Sequence, residues 1–270
     1  MDRVIEMPES ITEPRADVLD TIAKAAQANP RSQQRRIGPS GLGHECDRCL
    51  GAMLAEHTQD SSDTPWLPTI GTAVHTWIGE AFDAANIERF TQGLDERWLI
   101  EETVIVGAVG GVEIDGSCDL YDLDTRTVID HKLVGASTLK QARVKVSEQY
   151  RRQVHLYAAG MINAGHPVEH VAINYLPRNA KSLDAGYWFT EGYKPDLVAE
   201  TLARADSLAR AIGAAGAEIV LPQLARASGC FDCHRFPLMP GEPAPAPSPV
   251  RDRGAGHFAD IVGTDQGVLT

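Results

Sequence analysis

The chain has 270 residues, 43% of them hydrophobic, and a formal net charge of −12. That length suits one large domain or two small ones, and the acidic balance argues against a passive nucleic-acid coat, which is basic overall. No apolar run approaches the ~20 residues of a membrane helix. The polar, acidic start MDRVIEMPESITEPRAD is not a secretory signal, so an intracellular, cytoplasmic protein with no membrane partner is expected.

In chain order, residues 1–14 read as a disordered leader, and DVLDTIAKAAQA predicts a helix over about 16–28, stopped by Asn29-Pro30. GPSGLG leads into a helix at about 45–57 that carries Cys46 and Cys49, and TQDSSDTP is a loop. A long amphipathic helix follows at about 69–88, with Ile70, Val74, Trp77, Ile78, Ala81 and Phe82 at helical spacing. Strands are expected at about 97–107, 110–122 and 126–134, with Gly110-Gly111 as the first turn and Asp124-Thr125-Arg126 as the second. A helix at about 147–164 ends at Gly165. Strands at 170–178 and 186–191 and a helix at about 194–214 precede Cys230 and Cys233. From residue 237 a Pro/Gly-rich tail reads as disordered. The division is therefore leader and helix (1–36), one α/β domain with a mixed sheet (37–236), and tail (237–270).

The stretch GSCDLYDLDTRTVIDHK, Gly116 to Lys132, concentrates the chemistry. The ends of two antiparallel strands can bring Asp119 and Asp130 within reach of one ion. Asp130 and Lys132, two apart, leave the same face of their strand. Two acids and a lysine on one face are the minimum for a divalent metal and an attacking water. Four of the five cysteines form two C-x-x-C units, which in an intracellular protein suggest a metal or cluster rather than disulfides. Lys140, Arg143, Lys145, Arg151 and Arg152 make a basic run, and Arg31, Arg35 and Arg36 a smaller one.

Four features arrive in one order: Gly71-Thr72-Ala73-Val74-His75 on a helix, Gly116-x-x-Asp119, Asp130-His131-Lys132, and Gln153-Val154-His155-Leu156-Tyr157 on a helix. This resembles the RecB-like branch of the PD-(D/E)XK nucleases, including the CRISPR-associated and phage exonucleases, over roughly residues 40–236. The resemblance implies a restriction-endonuclease-like αβββαβ core with a mixed sheet and a helical, cysteine-ligated cluster subdomain. It implies a metal-dependent DNA exonuclease acting on single strands or DNA ends in recombination, repair or phage DNA metabolism. In that reading Asp119 and Asp130 are ligands of Mg²⁺ or Mn²⁺. The carbonyl of His131 is a third ligand, and His75 completes the site. Lys132 positions water and stabilises charge on the phosphate. Gln153 and Tyr157 contact the strand and orient Lys132, and the basic run 140–152 tracks DNA.

Cys46-Asp47-Arg48 looks like the family's upstream Cys-x-Arg, and Cys230 and Cys233 like its first two downstream ligands. No cysteine follows Cys233, so Cys49 stands as the fourth ligand. Four thiolates suit a 4Fe–4S cluster or a tetrahedral Zn²⁺, and the resemblance favours the cluster. Any helicase or recombinase partner is expected on a separate chain, in the host cytoplasm if the protein is phage-encoded. The competing reading is a non-catalytic DNA-binding or assembly module that keeps the fold. At residue level, Asp115 and Asp122 compete with Asp119, Gln153 is ordinarily solvent-facing on a helix, His155 and Tyr157 are candidates for packing, and Cys118 is a small buried hydrophobe.

Overall fold

The computed structural model describes residues 12–28, 36–57, 65–227, 230 and 232–236. The leader before residue 12, Arg31, Arg35, most of the predicted 58–65 loop and the tail lie outside them. The helices are α1 (Thr12–Gln27), α2 (Pro39–Leu42), α3 (Asp47–Leu54), α4 (Trp66–Thr91), α5 (Ala136–Ala142), α6 (Glu148–Asn163), α7 (Pro195–Ala215) and α8 (Ala217–Val220). The strands are β1 (Trp98–Val109), β2 (Val112–Asp122), β3 (Thr127–Val134), β4 (His170–Pro177) and β5 (Tyr187–Gly192). They form one sheet in the order β1-β2-β3-β4-β5. β1, β2 and β3 are an antiparallel meander, β4 runs parallel to β3 after the α5–α6 crossover, and β5 returns antiparallel. The expected mixed α/β sheet is present.

Both predicted turns form where the backbone needs them. Gly110 and Gly111 have φ of 60° and 81°, and Arg126 closes the β2–β3 turn with φ of 51°. Asp122 pins that turn, accepting 2.9 and 2.8 Å bonds from the Arg97 guanidinium, one from the Thr125 hydroxyl and one from the Asp124 N–H. Helix α5 was not anticipated; its short ASTLKQA segment shows no repeat long enough for a period to register.

Helices cover both faces of the sheet unequally. Under α6 and α7 lies the main core, where Val104, Val106, Val128, Val171, Ile173 and Tyr175 meet Val154, Leu156, Tyr157, Ala158 and Met161. Each buried Val, Leu, Ile or Met side chain there contributes about 1.5–3 kcal/mol of transfer free energy. Gly160 lets α6 approach β1 closely, since a Cβ there would sit 2.5 Å from Val104. The opposite face carries only a small cluster, Leu120, Ile129 and Ala172 with Phe82, Trp98 and Ile100. No residue of α4 is fully buried. Trp77, expected on its apolar stripe, is 63% exposed, and Ala81 is also exposed. The face turned to the sheet runs through Gly71, His75, Ile78 and Phe82, one flank away from Trp77. The helix that presents His75 is thus the more weakly held layer.

Candidate active site

β3 places its side chains by strict alternation. Val128 and Val134 enter the main core and Ile129 the opposite cluster, so Asp130 and Lys132 point toward α6 and His131 toward α4. The Lys132 ammonium lies 2.9 Å from Asp130 Oδ1 and 2.8 Å from Oδ2, and 5.1 Å from the centre of the Tyr150 ring. Asp130 is 1% exposed. Burial pushes its carboxyl up to about 6 despite Lys132. For Lys132, burial opposes the charge, but Asp130 and Asp119 outweigh it and raise its pKa.

β2 breaks its alternation at Asp119. Cys118 lies in the main core and Leu120 in the opposite cluster, yet Tyr121 is again in the main core. Asp119 Oδ2 accepts a 2.7 Å bond from the His131 N–H, which ties β2 to β3. Its Oδ1 lies 3.4 Å from His75 Nδ1 on α4. Burial opposes the Asp119 charge, but His75, Lys132 and the His131 N–H hold its pKa below the ordinary value. The same contact with Asp119 raises the pKa of His75. The imidazole of His131 goes the other way: burial pushes it down to about 4, leaving a neutral ring stacked 6.3 Å from Phe82. The competing acids are elsewhere. Asp115 is exposed and Asp122 is engaged by Arg97.

Glu101 joins this group without having been anticipated. Its carboxylate lies 4.0 Å from His75 Nδ1 and accepts a 2.6 Å bond from the Ser117 hydroxyl. One ligand atom each from His75, Glu101 and Asp119 lie within 4.8 Å of one another. The β1–β2 register explains the placement: Ile100 pairs with Leu120 and Glu102 with Cys118, while the Glu101–Asp119 position between them is unpaired. Glu101 has φ of 52° there. A bulge between Ile105 and Gly107 shifts the register by one residue. Counting back from the Gly110-Gly111 turn without it puts Glu102, not Glu101, opposite Asp119.

On α6 the expected pair is formed and buried. Gln153 Nε2 donates 3.2 Å to the Tyr157 hydroxyl, and Gln153 is 5% exposed rather than solvent-facing. A Cβ on Gly116 would lie 3.0 Å from the Tyr157 ring and 2.6 Å from Pro39; the glycine of the Gly-x-x-Asp pattern is what admits the tyrosine. Among the described residues, His131 Nε2 and Gln153 Oε1 are buried without a hydrogen-bond partner. Such atoms are rare in folded proteins and mark places where a ligand or water belongs. One imidazole nitrogen and two carboxylates are a donor set for a hard or borderline divalent ion, so the residues fit the metal that the motifs imply.

The basic run divides. Arg151 donates to Glu191 at 2.5 and 3.1 Å and to Glu148 at 3.1 Å, so its charge is spent inside the fold. Glu191 also accepts from His155 at 3.0 Å and from Lys194. His155 is fully buried in that network, a packing residue. Arg143 caps the carbonyls of Ala185 and Gly186 and is exposed, as are Lys140 and Lys145, while Arg152 is half-buried. A groove of about 370 Å³ is lined by Arg143, Lys145, Arg151, Tyr187 and Phe189, among others. A file of rings joins it to the buried acids: Lys132 over Tyr150, then Tyr175 at 6.2 Å, then Tyr187 at 5.9 Å.

The two C-x-x-C units meet. Cys46 caps α3, Cys49 lies in its first turn, and Cys233 lies on a 3₁₀ turn (Asp232–Arg235). Sγ–Sγ distances are 3.4 Å for Cys46–Cys233, 3.5 Å for Cys49–Cys233 and 3.7 Å for Cys49–Cys230. His44, a conceivable substitute ligand by sequence, has both nitrogens engaged, Nδ1 by the Cys46 N–H and Nε2 with Asp232. The fifth cysteine, Cys118, is buried in the main core, as expected.

No family model matches the chain, and no curated protein matches its sequence. Among solved structures it is similar to an alkaline exonuclease, LHK-Exo, from Laribacter hongkongensis, at 11% identity and TM-score 0.39, over 68% of this chain and 91% of that one. It is similar to a putative exonuclease from Eubacterium rectale at 13% identity and TM-score 0.45, over 86% and 97%. A phage-related exonuclease from Haemophilus somnus 129PT matches at 12% identity and TM-score 0.34, over 66% and 95%. No helix among the described residues is long and apolar enough to cross a membrane.

Proposed function

We propose that the chain is a metal-dependent deoxyribonuclease that hydrolyses phosphodiester bonds at DNA ends or in single strands. The observation that carries this reading is a pair of neighbouring groups on β2 and β3: Asp119 meets His75 and Glu101, and the buried Asp130 holds Lys132 on the adjacent strand. Ionisable groups are costly to bury, and a fold retains such a concentration of them where chemistry uses it.

In this reading His75, Glu101, Asp119 and Asp130, with the His131 carbonyl, hold Mg²⁺ or Mn²⁺. The ion, when bound, supplies Lewis acidity at the phosphoryl oxygen and an acidified water. The chain's own residues do the rest. Lys132, fixed by Asp130 and the Tyr150 ring, presents a permanent positive charge to the scissile phosphate. Gln153, fixed through Nε2 by the Tyr157 hydroxyl, offers an Oε1 without a partner that accepts a hydrogen bond from water or from the Lys132 ammonium. The neutral His131 ring packs α4 against the sheet, while the His131 backbone N–H orients Asp119. The groove with Arg143, Lys145 and the Tyr187 ring suits a strand, since cations attract its backbone and rings stack its bases. Arg151 serves there as a support for Glu191. Lys140 and Arg152 would add to the track at its margins. A recombination, repair or phage setting in the cytoplasm, with any helicase or recombinase as a separate chain, belongs to the same proposal.

The test is digestion of end-labelled single-stranded DNA with Mg²⁺ or Mn²⁺, with 5′- or 3′-blocked strands to read direction, beside Asp130→Ala. The wild-type chain should release nucleotides and the variant should not. Equal behaviour of the two proteins, with DNA still bound, would replace the nuclease by a non-catalytic DNA-binding module.

A further inference from the structure

We infer that the four cysteines hold one tetrahedral Zn²⁺, not the 4Fe–4S cluster that the motifs imply. The inference rests on the sulfur positions and is independent of the nuclease reading. Around a single zinc ion with bonds of about 2.3 Å, tetrahedral geometry sets the sulfurs about 3.8 Å apart. In a 4Fe–4S cubane each thiolate caps a different iron, which spreads the sulfurs to about 6 Å. Here the Cys46–Cys233, Cys49–Cys233 and Cys49–Cys230 separations are 3.4, 3.5 and 3.7 Å, and no pair among the four exceeds 4.8 Å. The gap between them admits one ion and is too small for a cubane's eight-atom core.

The surroundings fix that spacing. The Ala227 N–H donates to Cys46 Sγ at 3.3 Å, the kind of outer contact that orients a metal-bound thiolate. Arg226 donates to the Cys233 carbonyl at 2.8 Å. His44 bonds the Cys46 N–H on one side and Asp232 on the other, joining the two C-x-x-C segments directly. Ala52, Met53 and Phe236 close the shell. The paired C-x-x-C arrangement is also that of a closed structural zinc site.

The experiment is metal and sulfide analysis of the full chain, purified without oxygen from cells supplied with both iron and zinc. The expected result is one zinc per chain with a four-sulfur shell by X-ray absorption, no acid-labile sulfide and no absorbance near ~400 nm. The same count is expected in Asp130→Ala, which separates this site from the acidic one. Because a variant lacking a ligand will lose its fold along with its metal, the second readout uses the unaltered chain. Titration with an organomercurial should release the zinc in step with four thiols, with the buried Cys118 reacting last. A brown protein carrying about four irons and four sulfides, or one with no tightly held metal, overturns the inference. So does zinc that leaves without thiol modification.

Discussion

Glu101 occupies a backbone conformation that a residue other than glycine rarely adopts, with φ of 52° in the middle of a strand. Such a position costs on the order of 1–3 kcal/mol and persists when its surroundings over-determine it. Here the Ser117 hydroxyl and His75 hold the carboxylate in place. If the strain serves to aim that carboxylate, stability and activity must separate. Glu101→Gly removes both the strain and the ligand, while adding the usual glycine cost in a strand of about 0.5–1 kcal/mol. The two stability effects oppose each other, so the thermal midpoint should move little. Metal-supported cleavage should fall by about 10–100-fold, and Glu101→Gln should lose activity similarly. A Glu101→Gly protein that melts several degrees lower yet cuts DNA normally would make Glu101 a structural residue only.

At the scale of elements, β5 and α6 are joined by one half-buried carboxylate. Glu191 accepts from Arg151, His155 and Lys194. Burial opposes its charge, but these three partners hold its carboxyl down to about 2, against an ordinary 4.5. A depressed carboxylate contributes stability that is present in full above pH 4.5 and is lost as pH falls toward 2. By linkage that contribution is roughly 2–3 kcal/mol. Glu191→Gln should therefore lower stability at neutral pH by up to that amount, and flatten the acid limb of the stability profile between pH 4.5 and 2. Urea titrations at several pH values would read both effects, and parallel acid limbs for the two proteins would refute them. The elements that make this lock were readable from sequence, whereas the lock was not. Period two put Asp130 and Lys132 on one face of β3, and the four-residue step put Gln153 over Tyr157, and both arrangements are present. What local patterns could not carry was partnership across the fold. The Arg151 charge is cancelled by a residue forty positions away. Gln153 is held against Tyr157, which Gly116, thirty-seven positions before Gln153, makes room for. Glu101 was hidden by one bulge that shifts the strand register.

For the whole molecule, the decisive contact is between the two ends of the folded segment. Arg204 of α7 donates 2.7 Å to the Asp47 carboxylate, 2.7 Å to the His44 carbonyl and 3.2 Å to the Glu45 carbonyl, seating the first C-x-x-C unit against the helix that leads to the second. The proposed zinc, shared by Cys49 and Cys230, would close a loop of 181 residues. Treated as a cross-link, a loop of that length is worth of order 5 kcal/mol against the unfolded chain. The acidic site has a different physical character, since its oxygen and imidazole donors suit a hard ion that water competes for. The two centres should therefore respond to different reagents. EDTA should abolish cleavage, Mg²⁺ or Mn²⁺ should restore it, and the melting temperature should barely change. An organomercurial should lower the melting temperature by about 10–20 °C, since 1 kcal/mol moves a domain of this size by roughly 2–4 °C. It should take activity with it, beyond rescue by Mg²⁺, because the clasp seats α3 against α7, which packs on α6 and its Gln153–Tyr157 pair. If EDTA instead unfolds the chain as it inactivates it, the ion at the acids holds the fold together, and the two metals do not divide the work in this way.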